Sequence, residues 1–198
     1  MTDKYLISIG ILIAIFILLP IFSRPLVPFN LAVRQFVSKH RSMRLRSLMI
    51  FTHRYNDFLS FSIQLLFLAL LLGLVWRDWR RAGVLLIAMF IQTTIITLFK
   101  RLTSIDRPPQ LVSHIVMTSG SYPSGHSAAS LTFALLVPLV LMPYVSQAVT
   151  IILGALLGCV ALLTAYGRLY LDVHWFTDVI GGWLLSVAIF LLSIGFLT

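Results

Sequence analysis

The sequence contains no glutamate and only six aspartates: Asp3, Asp57, Asp78, Asp106, Asp172 and Asp178. Charged residues of both signs make up 11% of its 198 positions, against roughly 25% in an ordinary soluble domain. A single cysteine, Cys159, excludes a framework of internal disulfides. The scarcity of charge excludes a disordered chain or a coiled coil as well. A water-soluble globule is excluded by what replaces the missing charge. Apolar residues make up 59% of the chain and mean hydropathy is +0.99, which leaves too few polar groups to cover a surface facing water. What remains is one membrane-embedded domain over residues 1–198.

The apolar residues gather into six runs, at 5–22, 58–76, 83–99, 127–145, 148–166 and 179–197. Each is close to the roughly 20 residues a helix needs to cross the hydrocarbon core. None alternates with the period of two that a barrel strand requires. The expected fold is therefore all-α, with six transmembrane helices in one bundle. The first run is too long for the core of a cleavable leader and reads as a true span. Pro138 and Pro143 are expected to bend the fourth span. Gly154 and Gly158 read as a packing seam in the fifth, with Cys159 beside them as a small packed thiol. Residues 30–39 interleave Leu31, Val33, Phe36 and Val37 with Arg34 and Lys39, which predicts a short interfacial helix after the first span.

Lysine and arginine together number 15 and give a net charge of +9. In a chain that lives in lipid, this excess points to membrane headgroups or an anionic substrate rather than to nucleic acid. Six spans place both termini on one side of the membrane. The loops after the first, third and fifth spans then share the other side, and two of them, 100–125 and 167–178, hold nearly every unusual residue.

Three clusters stand out there: Lys100 with Arg107-Pro108, the run Pro123-Ser124-Gly125-His126, and Gly167-Arg168 with His174 and Asp178. Lys100, Arg107 and Arg168 supply three fixed cations, and an arginine grips oxyanions with two parallel N–H groups. Ser124 and Gly125 precede a helix start, where backbone N–H groups and the helix dipole favour a phosphate. His174 and Asp178 are four apart and share one face of a helical turn. The carboxylate then orients one ring nitrogen and leaves the other as a nucleophile. His126, from a different loop, is placed to protonate the departing oxygen as general acid. Such a set performs phosphoryl transfer through a phosphohistidine.

These clusters resemble the three signature motifs of the type 2 phosphatidic acid phosphatase superfamily, K-x6-R-P, P-S-G-H and S-R-x5-H-x3-D, in order and at their spacings. The resemblance implies a helical membrane phosphatase that needs no metal or other cofactor. It implies His174, His126 and Asp178 as the catalytic residues, with Lys100, Arg107, Ser124, Gly125 and Arg168 around the substrate phosphate. Two positions depart from the family pattern: Gly167 stands where a serine is usual, and Phe176 where many members carry proline. Any hydrogen bond from that serine is missing.

The plainer readings account for most other polar residues. Arg77, Arg80 and Arg81 between the second and third spans read as topology signals. His40, His53 and His114 read as interfacial histidines, and Asp106 and Asp172 as loop solvation or arginine pairing. A metal site on His126, His174 and Asp178 is disfavoured, because three cations crowd the same pocket. The substrate expected is a lipid phosphate or diphosphate, a polyprenyl diphosphate first, with phosphatidylglycerol phosphate and phosphatidic acid next. A lipid phosphotransferase and a non-catalytic transporter or scaffold are the rival readings.

Orientation sets two signals against each other. Lys4, Arg77, Arg80 and Arg81 lie on the terminal side, against seven cations in the first opposite loop and four in the motif loops. The positive-inside rule favours a cytoplasmic site, whereas the resemblance implies an extracytoplasmic one. The motif cations serve substrate and the first loop rests on headgroups, so the expectation is cytoplasmic termini and an extracytoplasmic site in the cell membrane.

Overall fold

The computed structural model describes residues 3–110 and 119–197; His114 lies outside the described residues. All regular structure among the described residues is helical. In chain order the helices are α1 (Asp3–Ile21), α2 (Val27–Lys39), α3 (Arg46–Tyr55), α4 (Phe58–Leu70), α5 (Trp79–Thr103), α6 (Gly125–Leu141), α7 (Gln147–Tyr170) and α8 (Phe176–Leu197). A short 3₁₀ turn, Met43–Leu45, leads into α3, and a π-helical turn, Leu71–Val75, prolongs α4. Among the described residues, five helices are long and apolar enough to cross a membrane: α1, α4 with its π turn, α5, α7 and α8. The protein is an integral membrane protein. Helix α6 is apolar but has 17 residues, roughly 26 Å of rise.

α8 sits at the centre, packed against α1, α5 and α6, while α7 covers the other flank of α6. The core runs through Phe16, Leu72, Leu85, Leu136, Val140 and Leu185. Polar side chains tie the bundle where lipid offers no competing partner. Gln92 of α5 donates to Thr132 of α6 at 2.5 Å and to Ser186 of α8 at 3.3 Å. Ser186 in turn bonds the Ala128 carbonyl of α6 at 2.8 Å.

Two adjacent glycines in α8 decide where the P-S-G-H segment rests. A Cβ at Gly182 would lie 2.7 Å from the Ser124 carbonyl oxygen, and one at Gly181 would lie 2.5 Å from the Tyr122 hydroxyl. With hydrogen there instead, Tyr122 and Ser124 press directly against α8. The Ser124 N–H donates to the Asp178 carbonyl at 2.9 Å, and the Tyr122 hydroxyl reaches the Phe16 carbonyl of α1 at 2.6 Å.

At the far end the turn between α4 and α5 is closed by side chains. Asp78 caps α5 by accepting from the Arg81 N–H at 2.9 Å, and it accepts from the Tyr144 hydroxyl at 2.5 Å. That bond draws Asp78 below its usual range and pushes Tyr144 above its own. Arg80 and Arg81 donate to the carbonyls of Phe196 at 2.6 Å and Leu139 at 3.1 Å. They satisfy the last turns of α8 and α6 as C-terminal cations should.

Several expectations are corrected here. The fourth apolar run, read as 127–145, is helical over Gly125–Leu141, because Pro143 has no N–H with which to continue the ladder. Pro138 sits inside that helix and Pro143 beyond it. Gly154 faces α6, where its Cβ would meet Pro138 at 3.5 Å, but nothing lies within 4 Å of a Cβ at Gly158. Cys159 is exposed on the outside of the bundle, not packed. The basic segment after α1 holds two helices where one was expected: α2 covers the predicted 30–39, and α3 is additional. α2 is fastened to the α7–α8 loop by Asp172, which is 1% exposed and pairs with Arg34 at 3.1 Å and Arg41 at 2.9 Å. Arg34 also donates to the Pro109 carbonyl at 2.8 Å, so one side chain bridges the first and third motif loops.

Candidate active site

The three motif clusters converge at one end of the bundle. Lys100 comes from the last turn of α5, Arg107 from the loop that follows, and Ser124 to His126 from the entry to α6. Arg168 comes from the last turn of α7, His174 from the next loop, and Asp178 from the first turn of α8. His174 and Asp178 are both almost completely buried, at 3% and 1% exposed.

Asp178 organises the centre through one oxygen. Its Oδ2 accepts from the Trp175 N–H at 2.7 Å, from the Ser121 hydroxyl, and from His174 Nδ1 at 3.3 Å. A carboxylate only accepts, so Nδ1 carries the proton and Nε2 keeps its lone pair. The other side of the ring agrees: Arg107 Nη1, which can only donate, stands 3.2 Å from Nε2. Burial first, and then Arg168, Lys100, Arg107 and His126, holds His174 well below the ordinary histidine range. A neutral imidazole with a fixed tautomer and a directed lone pair is the result.

The cations surround this ring. Arg107 is pinned by backbone carbonyls, donating to Ser119 at 3.0 Å, Gly120 at 3.1 Å and Val173 at 2.6 Å. Its partial burial lowers it from the usual arginine value. Lys100 Nζ donates to the Gly120 carbonyl at 2.8 Å. Arg168, 1% exposed, has its Nε and Nη2 buried without a hydrogen-bond partner among the described residues. An enclosed guanidinium with two open donors is costly unless an anion meets it.

Ser124 differs in detail from its expected part. It is fully buried, with Oγ 2.9 Å from Ser127 Oγ and capping the Ser127 N–H at 3.4 Å. Its side chain therefore secures the end of α6, where the helix dipole is positive. Gly125 and His126 open that helix and line a cavity of about 660 Å³ between α4, α5 and α6. His126 Nε2 is buried and unpartnered among the described residues. The loops are laced together by Trp175, whose indole N–H donates to the Asp106 carbonyl at 2.8 Å.

One site residue carries no signal in the motifs. His53, read as interfacial, stands in the site: its Nδ1 is 2.7 Å from Arg168 Nη1, and its ring stacks on His126 with centroids 4.8 Å apart. The contact arises because α3 packs on α7. A tertiary contact of two helices distant in sequence leaves no spacing to read. Arg101, by contrast, is exposed.

Known proteins show the same arrangement of chain. A curated undecaprenyl-diphosphatase from Sulfolobus acidocaldarius is 28% identical over 202 residues, spanning 93% of this chain and 88% of that protein. The crystal structure of a transmembrane phosphatidylglycerolphosphate phosphatase from Bacillus subtilis superposes with a TM-score of 0.85 at 21% identity, over 96% of this chain and 95% of that one. LpxE from Aquifex aeolicus follows with a TM-score of 0.67 at 22% identity, over 84% and 95% of the two chains. At those identities the solved structures establish the shared fold. The family model of the PAP2 superfamily matches residues 81–197, a stretch that takes in all three motif clusters and more than half of the sequence. The chain belongs to the PAP2 superfamily.

Proposed function

We propose that the protein is a membrane phosphatase that removes the terminal phosphate of a lipid phosphate or diphosphate, a polyprenyl diphosphate first among them. The observation that carries this reading is the oriented His174 ring, held between Asp178 at 3.3 Å and Arg107 at 3.2 Å amid three cations. His174 Nε2 attacks the terminal phosphorus as Lys100, Arg107 and Arg168 take up the charge on its oxygens. Arg107 turns from Nε2 to the phosphate as substrate binds. The bond from phosphorus to the bridging oxygen breaks, and His126 passes a proton to that oxygen. Negative charge on the bound phosphate favours the imidazolium form of His126 that this step needs. His126 then takes a proton from water, whose oxygen attacks the phosphohistidine, releasing inorganic phosphate and restoring Nε2. Asp178 steadies the positive charge that His174 gains in between.

A lipid substrate is supported by the cavity beside His126, lined by Phe58, Phe61, Leu65, Met89, Phe90 and Ile96. Such a lining suits a hydrocarbon tail that stays in the bilayer while its phosphate enters the site. The name borne by the Sulfolobus relative supports a polyprenyl diphosphate. We read residues 1–198 as one domain in which α6 is a sixth span and α2 lies in the headgroup region. On this reading the termini face the cytoplasm and the site faces away from it.

The experiment is phosphate release by the purified protein from a panel of polyprenyl diphosphate, phosphatidylglycerol phosphate and phosphatidic acid. Release should be fastest from the first, survive a chelator and vanish in His174→Ala. Release that persists in that variant, or that a chelator abolishes, contradicts the mechanism. A product carrying the phosphate on an added acceptor lipid would make the protein a phosphotransferase.

A further inference from the structure

We propose that His53 is a positioning residue of this site. It holds the Arg168 guanidinium so that the Nε and Nη2 edge faces the transferring phosphate, and it stacks against His126 on its other side. The inference rests on the phosphatase reading above.

A guanidinium has donors and no lone pair. The 2.7 Å contact between Arg168 Nη1 and His53 Nδ1 therefore makes Nδ1 the acceptor and puts the imidazole proton on Nε2. Burial and then the neighbouring Arg168 pull His53 down to about 4, so the ring remains an acceptor through the neutral range. Of the three guanidinium nitrogens, this bond occupies Nη1, while Nε and Nη2 are buried and unpartnered. Those two form the side-by-side pair that grips an oxyanion with parallel bonds. Fixing the third nitrogen fixes the direction in which that pair points.

The local sequence explains how His53 arrives there. Gly167 stands where the family usually has a serine, and a Cβ at that position would lie 3.2 Å from Thr52 Oγ1 and 3.4 Å from Met49 Sδ. The bare backbone lets α3 come close to α7 one residue before Arg168. Asn56 anchors the end of α3, donating to Thr164 of α7 at 3.0 Å and to the Thr52 carbonyl at 3.0 Å. The acceptor for Arg168 thus comes from α3, a helix more than a hundred residues away in sequence.

Two substitutions separate the acceptor from the ring. In His53→Asn the amide oxygen stands near the position of Nδ1 and still accepts from Arg168, while the ring is lost. In His53→Phe the ring still stacks on His126, but no acceptor remains. Purified variants are assayed for kcat and KM on polyprenyl diphosphate, for competitive inhibition by orthovanadate, a phosphoryl mimic, and for thermal unfolding in detergent. H53F should lower kcat/KM about 30-fold and weaken orthovanadate about 10-fold, as expected for losing a hydrogen bond to a buried charge. H53N should stay within about 3-fold of wild type on both, and the unfolding midpoints of the two should agree. If H53F does not fold, H53N is compared with His53→Gln, whose amide lies too far out to replace Nδ1 and should be the impaired one. H53F equal to wild type, or H53N as impaired as H53F or H53Q, overturns the inference. Failure of the phosphatase reading shows elsewhere, as a wild-type protein that releases no phosphate from any lipid in the panel.

Discussion

Replacing Asp178 by asparagine removes one charge and keeps the shape of the side chain, which makes it a sharp probe of the mechanism. All three bonds to this carboxylate meet at Oδ2. An asparagine with its amide oxygen at that position accepts the same three donors, so orientation of His174 is preserved. What is lost is a negative charge 3.3 Å from a ring nitrogen that becomes part of a cation when Nε2 is phosphorylated. At an effective dielectric of about 20 that pair is worth about 5 kcal/mol. Relaxation of the surroundings reduces it, so the loss expected in kcat is about 10² to 10³-fold. Binding should move the other way. With the anion gone, Lys100, Arg107 and Arg168 attract phosphate without competition, so orthovanadate should inhibit Asp178→Asn at least as strongly as wild type. Steady-state phosphate release and orthovanadate titration measure the two effects. A variant within tenfold of wild-type kcat, or one that loses orthovanadate binding together with kcat, would refute the assignment of Asp178 to the charge on His174.

Other outcomes follow from neighbouring contacts. Because burial and the surrounding cations lower His174 well below the ordinary value, its lone pair stays free as pH falls through about 6.5. The acid limb of kcat/KM, measured with correction for substrate ionisation, should therefore lie below that value, and a limb above it contradicts the neutral nucleophile. Gly182→Ala puts a Cβ 2.7 Å from the Ser124 carbonyl oxygen; thermal unfolding should show a loss of about 1–3 kcal/mol, accompanied by a drop in activity as the entry to α6 shifts. Asp172→Asn leaves Arg34 and Arg41 without their shared anion, with side chains 22% and 8% exposed. Stability should fall by about 3 kcal/mol in the same assay, and an unchanged midpoint would remove this pairing from the account.

The parts of this molecule that could be read in advance are those where chemistry conflicts with lipid. Lys100, Arg107, Arg168, His174 and Asp178 are conspicuous because charge is rare in the chain, and their spacing matched a known pattern. Five of the six apolar runs coincide with helices long enough to cross a membrane, and the fourth forms a shorter helix that stops at Leu141. What escaped reading lies in the basic segment between α1 and α4. There Arg46–Tyr55 looks like headgroup-facing loop, and its packing on α7, close at Gly167, brings it into the site as a helix. His53 was hidden for that reason, since its partner Arg168 is 115 positions away. Asp172 could be expected to pair with an arginine, but which two arginines it joins depends on where α2 folds back. Cys159 went astray for a different reason: in a membrane the outside of a bundle is as apolar as its core, so hydrophobicity does not tell which face a small residue takes.

The central claim is that phosphate passes through His174, and the most direct measurement is to trap it there. Protein mixed rapidly with polyprenyl diphosphate carrying radioactive terminal phosphate, then denatured in alkali, should retain a label that acid releases, as a phosphoramidate does. Fragment mapping should place that label on His174, and His174→Ala should carry none. No label in protein that is turning over substrate, or an equal label in His174→Ala, would contradict the account.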